Sequence, residues 1–125
     1  MKKILTIIFA LIIFFVPAKN CAAADIWVDY WRDSRIDVFV IEESLKDVSA
    51  PENLAFKVST KEVRNGQLLQ IVQWHFTKLG DDFWRFETSE MDGEHLTVVI
   101  PRHAIFEFCM NRLGWNFSAV DSWYY

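Results

Sequence analysis

The chain has 125 residues, with 13 Lys and Arg against 17 Asp and Glu for a net charge of −4, and 16% of its residues are aromatic. That composition is unlike a disordered tail, and the length suits one compact domain. The acidic balance repels phosphate backbones and anionic lipid, which sets nucleic-acid binding and peripheral membrane attachment aside.

In chain order, Met1-Lys2-Lys3 leads into an apolar run from Ile4 to Val16 interrupted only by Thr6, followed by Pro17 and Ala22-Ala23-Ala24. Charge, apolar run and small residues in that order form a secretory signal peptide. As a helix the run reaches roughly 20 Å, short of the roughly 30 Å hydrocarbon core of a bilayer, so no lasting membrane span is expected. Ala22 and Ala24 fit a small-x-small cleavage pattern, which places the expected cut between Ala24 and Asp25, with one residue either side equally compatible. Lys19 and Asn20 before Cys21 do not suit lipid attachment there. The expected organisation is a signal peptide over residues 1–24 and one exported domain over 25–125, periplasmic or extracellular. Cleavage removes three lysines and no acid, leaving 10 basic residues against 17 acidic ones, a charge near −7. It also leaves Cys109 as the lone thiol, so no internal disulfide can form.

Within residues 25–125 the apolar pattern has mostly period two. Ile26 to Trp31 and Ile36 to Ile41 read as a hairpin across Arg32-Asp33-Ser34-Arg35, with Trp27 and Trp31 on one face and Tyr30 on the other. Glu42 to Glu52 is polar, contains Ser49-Ala50-Pro51 and reads as a loop. Leu54, Phe56 and Val58 alternate with polar or small residues, as do Val72, Trp74 and Phe76 after Asn65-Gly66. A two-residue Asn-Gly turn pairs Phe56 with His75 and so mixes faces. A three-residue loop Arg64-Asn65-Gly66 pairs Phe56 with Trp74 and keeps the apolar side chains together. Similar loops at Leu79-Gly80-Asp81 and Met91-Asp92-Gly93 carry the meander on, with Trp84 and Phe86 facing Leu96, Val98 and Ile100.

Pro101 then supplies the first turn of a helix that runs to about Leu113 and closes at Gly114. Ile105, Phe106, Phe108, Cys109, Met110 and Leu113 share its apolar side at 100° per residue. The fold expected is α+β: an antiparallel meander of about six strands with one C-terminal helix on its aromatic face.

The candidates for chemistry are few. His75, His95 and His103 stand in no metal-ligand spacing, so neither a metal nor a cofactor is expected. Cys109 on a buried helix face lacks the surroundings of a reactive thiol, and no serine stands in a nucleophile elbow. No catalytic constellation emerges. The candidates for binding are the polar outer sheet face, where His75 is expected beside Arg85 and Gln73 beside Glu87, and the aromatic tail Trp123, Tyr124 and Tyr125.

Several motifs carry a resemblance. Trp27, the strand Phe39-Val40-Ile41-Glu42-Glu43-Ser44-Leu45, Trp74 and Trp84 in successive strands, and a late helix with Cys109 resemble small exported proteins of unknown function from diderm Firmicutes. More distantly they resemble the surface-adhesin E-like domain. Ile41 replaces the acid usual in that strand, and the paired cysteines common in the adhesin-like group are missing. The resemblance implies binding to a surface partner and assigns no catalytic residue. The function expected is therefore non-catalytic binding of a protein or cell-envelope component. The alternative is a small hydrolytic or isomerising enzyme that uses His75, Arg85 and Glu87.

Overall fold

The computed structural model describes residues 25–91, 96–120 and 122–125. The expected signal peptide over residues 1–24, with Cys21 and Ala24, the expected loop at Asp92-Gly93, and His95 lie outside the described residues. Six strands form one antiparallel sheet in chain order: β1 (Asp25–Trp31), β2 (Ile36–Asp47), β3 (Asn53–Arg64), β4 (Gln67–Leu79), β5 (Arg85–Thr88) and β6 (Thr97–Val98). Helix α1 (Ala104–Leu113) follows, and a small hairpin of β7 (Ala119–Val120) and β8 (Trp123–Tyr124) ends the chain. This is the α+β meander expected, with the helix packed on the aromatic face. Among the described residues no helix is long and apolar enough to cross a membrane.

The inner face explains the helix. Phe56 stacks on Phe76 at 4.8 Å and meets Trp84, Phe106 and Trp115 at 5.8–6.2 Å, so sheet, helix and the segment after the helix share one aromatic cluster. Ile105, Phe106, Cys109 and Met110 supply the helix side of it, all buried. Burying side chains of this size contributes about 1.5–3 kcal/mol each, and the ring pairs add about 0.5–1.5 kcal/mol. Polar contacts also lie within that face: the Trp74 indole N–H donates to Thr60 Oγ1 at 2.9 Å, and toward its margin the Gln70 amide donates to the buried Glu62 at 3.1 Å. Gly114 ends α1 in the left-handed region (φ 74°), its N–H returning to the last-turn carbonyls, as the sequence indicates.

Four local readings change. First, Arg64 pairs with Gln67, so Asn65-Gly66 is a two-residue turn with both φ positive (52° and 77°). A bulge then restores the faces: Val63 opposes Leu68, Glu62 opposes Gln70, and Leu69 is the extra residue. Phe56 consequently pairs with Phe76, two positions from the expected partner.

Second, β2 runs on to Asp47 through part of the supposed loop. Between the Ile41–Ser59 and Lys46–Lys57 pairs, four residues of β2 oppose only Val58. Ser44 fills the break: its hydroxyl donates to the Ile41 carbonyl at 2.6 Å and accepts the Ser59 N–H at 2.8 Å. A polar sequence there reflects an irregular strand. Third, a bulge at Val28 separates Trp27 and Trp31; Trp27 joins Tyr30 on the outer face, while Trp31 packs against the core.

Fourth, Arg85 pairs with Val98 and Phe86 with Thr97, so Val99 points inward beside Trp84, while Leu96 and Ile100 are exposed. Val98-Val99-Ile100 is uniformly apolar, so alternation gives no signal as to which of them turns inward. The helix also starts later than expected: Pro101 precedes the N-cap, His103, by two residues.

Candidate functional site

The outer face of the sheet is divided along its strands. At one end, cross-strand partners line up as Lys46, Lys57, His75 and Glu87, one from each of β2 to β5. Such partners point to the same side of a sheet, so these four side chains stand in a row. The next row holds Ser59 and Gln73, joined by Ser89, whose hydroxyl accepts the Gln73 N–H at 3.0 Å. The break in β2 brings Glu43 and Ser44 alongside. Together these residues line an open trough of about 500 Å³.

The electrostatics within the trough are uneven. His75 Nδ1 lies 3.2 Å from Glu87 Oε1, within hydrogen-bond reach, and Glu43 lines the trough as a second acid without an ion-pair partner among the described residues. Lys46 and Lys57 are direct cross-strand partners, and neither has an ion-pair partner among the described residues. Like charges directly opposite one another repel, a cost that an incoming anion relieves. Among the described residues there is no cluster of three His, Cys, Asp or Glu side chains able to hold a metal ion.

Of the residues singled out in the sequence, Gln73, His75 and Glu87 line this trough. Their pairing differs by two positions from expectation: His75 opposes Glu87, and Arg85 opposes Thr77. Registers two residues apart bury the same side chains, so burial alone cannot choose between them. Arg85 is thereby drawn away from the trough, to Asp82 at 3.4 Å and over the Phe83 ring at 4.8 Å. The trio His75, Arg85 and Glu87 required by the enzymatic alternative is therefore split, with only the His75–Glu87 pair intact. Lys46 and Lys57 went unnoticed in the sequence because Lys46 lay in a presumed loop. The available signal was Lys57, on the polar side of the Leu54-Phe56-Val58 alternation.

The aromatic tail is largely structural. Tyr124 is 1% exposed; its carbonyl accepts the Trp84 N–H at 2.9 Å. Its hydroxyl accepts the His103 N–H at 3.0 Å and donates to the Glu107 carboxylate. Burial, then the Glu107 hydrogen bond, raises its pKa. Trp123 stacks on Phe83 at 5.0 Å, and Tyr125 pairs its backbone with Ser118, so only these two keep surface to offer a partner.

His103 has a structural role that the sequence reading missed. As N-cap of α1, its Nδ1 accepts the Phe106 N–H at 3.2 Å, and its ring lies 5.4–5.7 Å from Trp74, Phe76 and Phe86. Burial pushes its pKa down to about 4 despite the opposing charges of Asp29 and Glu107. Cys109 is fully buried, and desolvation pushes its thiol up to about 12, which leaves it no nucleophilic thiolate at neutral pH.

No protein-family model matches this chain, and neither a curated protein nor a solved structure shows significant similarity to it.

Proposed function

We propose that this chain is an exported, non-catalytic binding domain whose ligand, a protein or cell-envelope component, presents an anionic group to the outer-face trough. The observation that carries the reading is the Lys46–Lys57 pair, two cations set side by side at the wall of a concavity of about 500 Å³ with no ion-pair partner among the described residues. Gln73, Ser59 and Ser89 add neutral hydrogen-bonding groups beside them, suited to orienting a polar ligand. The sequence supports the exported setting through its first 24 residues.

The test is an NMR titration of the full chain, taken as the host processes it, with acetate and with inorganic phosphate. Shifts confined to Lys46, Lys57, Gln73, His75 and Glu87 are expected, and Lys57→Met should weaken the response about tenfold, as loss of a charge-assisted contact does. Shifts that ignore this variant sink the proposal. The His75–Glu87 pair favours one second reading, the hydrolytic or isomerising enzyme. A turnover that His75→Ala abolishes while leaving anion binding intact would establish that reading in place of simple binding.

A further inference from the structure

Beyond the trough, the same outer face turns apolar. The row after Ser59 and Gln73 is Trp27, Phe39, Lys61 and Ile71, and the row after that is Tyr30, Asp37, Val63 and Leu68. Trp27, Leu68 and Ile71 are 54%, 53% and 50% exposed, although an inner face of the same sheet was available to residues of their kind. Their polar neighbours are already satisfied. Lys61 reaches Asp25 at 2.7 Å, and the Trp27 indole N–H donates to Asp37 at 3.1 Å. Lys61 thereby presents its aliphatic stem to the patch and its charge to the sheet edge. Apolar side chains exposed together around two such satisfied polar residues, Lys61 and Asp37, offer an interaction surface.

Resting on the trough reading above, we infer that the ligand of this face is a free single-chain amphiphile with an anionic head: the head at Lys46 and Lys57, the acyl chain running along β3 and β4 over Ile71 and the Lys61 stem toward Val63 and Leu68, with Phe39 on its flank. Position decides this occupant. From Lys57 to Val63 is six residues of β3, about 20 Å at a strand's rise, comparable with a long acyl chain. Cationic head site and apolar floor lie end to end along one strand direction, separated by the row Asp25, Ile41, Ser59 and Gln73, whose one charge, Asp25, sits on the edge strand and is taken up by Lys61. A protein partner has no need of that linear order, whereas an amphiphile has the same order in its own structure. The net charge, −4 for all 125 residues and near −7 without residues 1–24, repels an anionic bilayer as a whole, so the ligand taken is a single molecule and not a membrane surface.

Calorimetry on the full chain as the host processes it compares dodecanoate, butanoate and dodecyl maltoside below its micelle concentration, with anionic vesicles as a fourth arm. Dodecanoate is expected to bind at least about tenfold tighter than butanoate or the maltoside. Ile71→Ser should weaken dodecanoate severalfold and leave butanoate unchanged, while Lys57→Met weakens both. Equal affinity for dodecanoate and butanoate overturns the inference while the trough reading stands; no binding of any anion overturns both. Binding to vesicles without binding to monomeric dodecanoate overturns it in favour of a membrane surface. A dimer that Ile71→Ser converts to monomer, with no dodecanoate bound, overturns it in favour of a contact between two copies.

Discussion

The two faces of this sheet are made from the same strands by the same alternation, yet they use aromatic residues in opposite ways. Inside, Phe56, Phe76, Trp84 and Phe106 interlock through ring contacts of 4.8–6.2 Å and lose water entirely. Outside, Trp27 and Tyr30 on β1, like Ile71 and Leu68 three strands away on β4, keep about half their surface in solvent. The inner set is committed to folding. The outer set contributes little to folding and remains free to act on something else.

Trp84→Ala tests the contrast with the largest expected effect. It removes a side chain in contact with Phe56, Phe106 and Trp115 and should cost about 3–5 kcal/mol in denaturant unfolding. A loss below about 1 kcal/mol would mean that the inner face is loosely packed, contrary to the ring geometry.

The second test uses pH. His103 is held neutral among the inner rings, with its folded pKa near 4 against an ordinary 6.5. The unfolded chain therefore binds the extra proton more readily. The stabilisation from keeping His103 neutral is complete above about pH 6.5 and fades as pH falls toward about 4. His103→Asn keeps an N-cap acceptor and removes the titration, so its stability should be flatter across that window. Unchanged slopes in wild type and variant would remove His103 from the acid response.

The smallest effect belongs to the outer face. Ile71→Ser should shift unfolding by no more than about 0.5 kcal/mol, since the side chain is already half in water. A larger loss would show that the patch supports the fold, and the contrast between the faces would collapse.

Face assignment was legible in the sequence along β3 and β4, failed at β1 and β6, and register was the least legible feature, for one physical reason. Alternation records only whether a residue is odd or even along its strand. Leu54, Phe56 and Val58 hence revealed a half-buried strand but left pairings two positions apart equivalent, and Leu54 itself ends up exposed at the strand's beginning. The bulges at Val28 and Leu69 add single residues that flip parity locally without any turn residue to announce them. The helix was clearer because its 3.6-residue stripe and Gly114 agree. Its start was misplaced by three residues because histidine is not a usual capping residue.

For the site, Gln73, His75 and Glu87 were visible as polar residues on an apolar-backed strand. The Lys46–Lys57 pair depends on the break at Ser44, a tertiary feature. The apolar outer patch was hidden by the assumption that the second face of a sheet is polar.

The buried thiol of Cys109 has one practical consequence. With its sulfur shut inside the core and its proton held up to a pKa of about 12, it reacts with a thiol reagent only when α1 lifts from the sheet. As the single cysteine among the described residues, it is a built-in clock: the rate at which it is labelled times the opening of the core, with no probe added to the molecule.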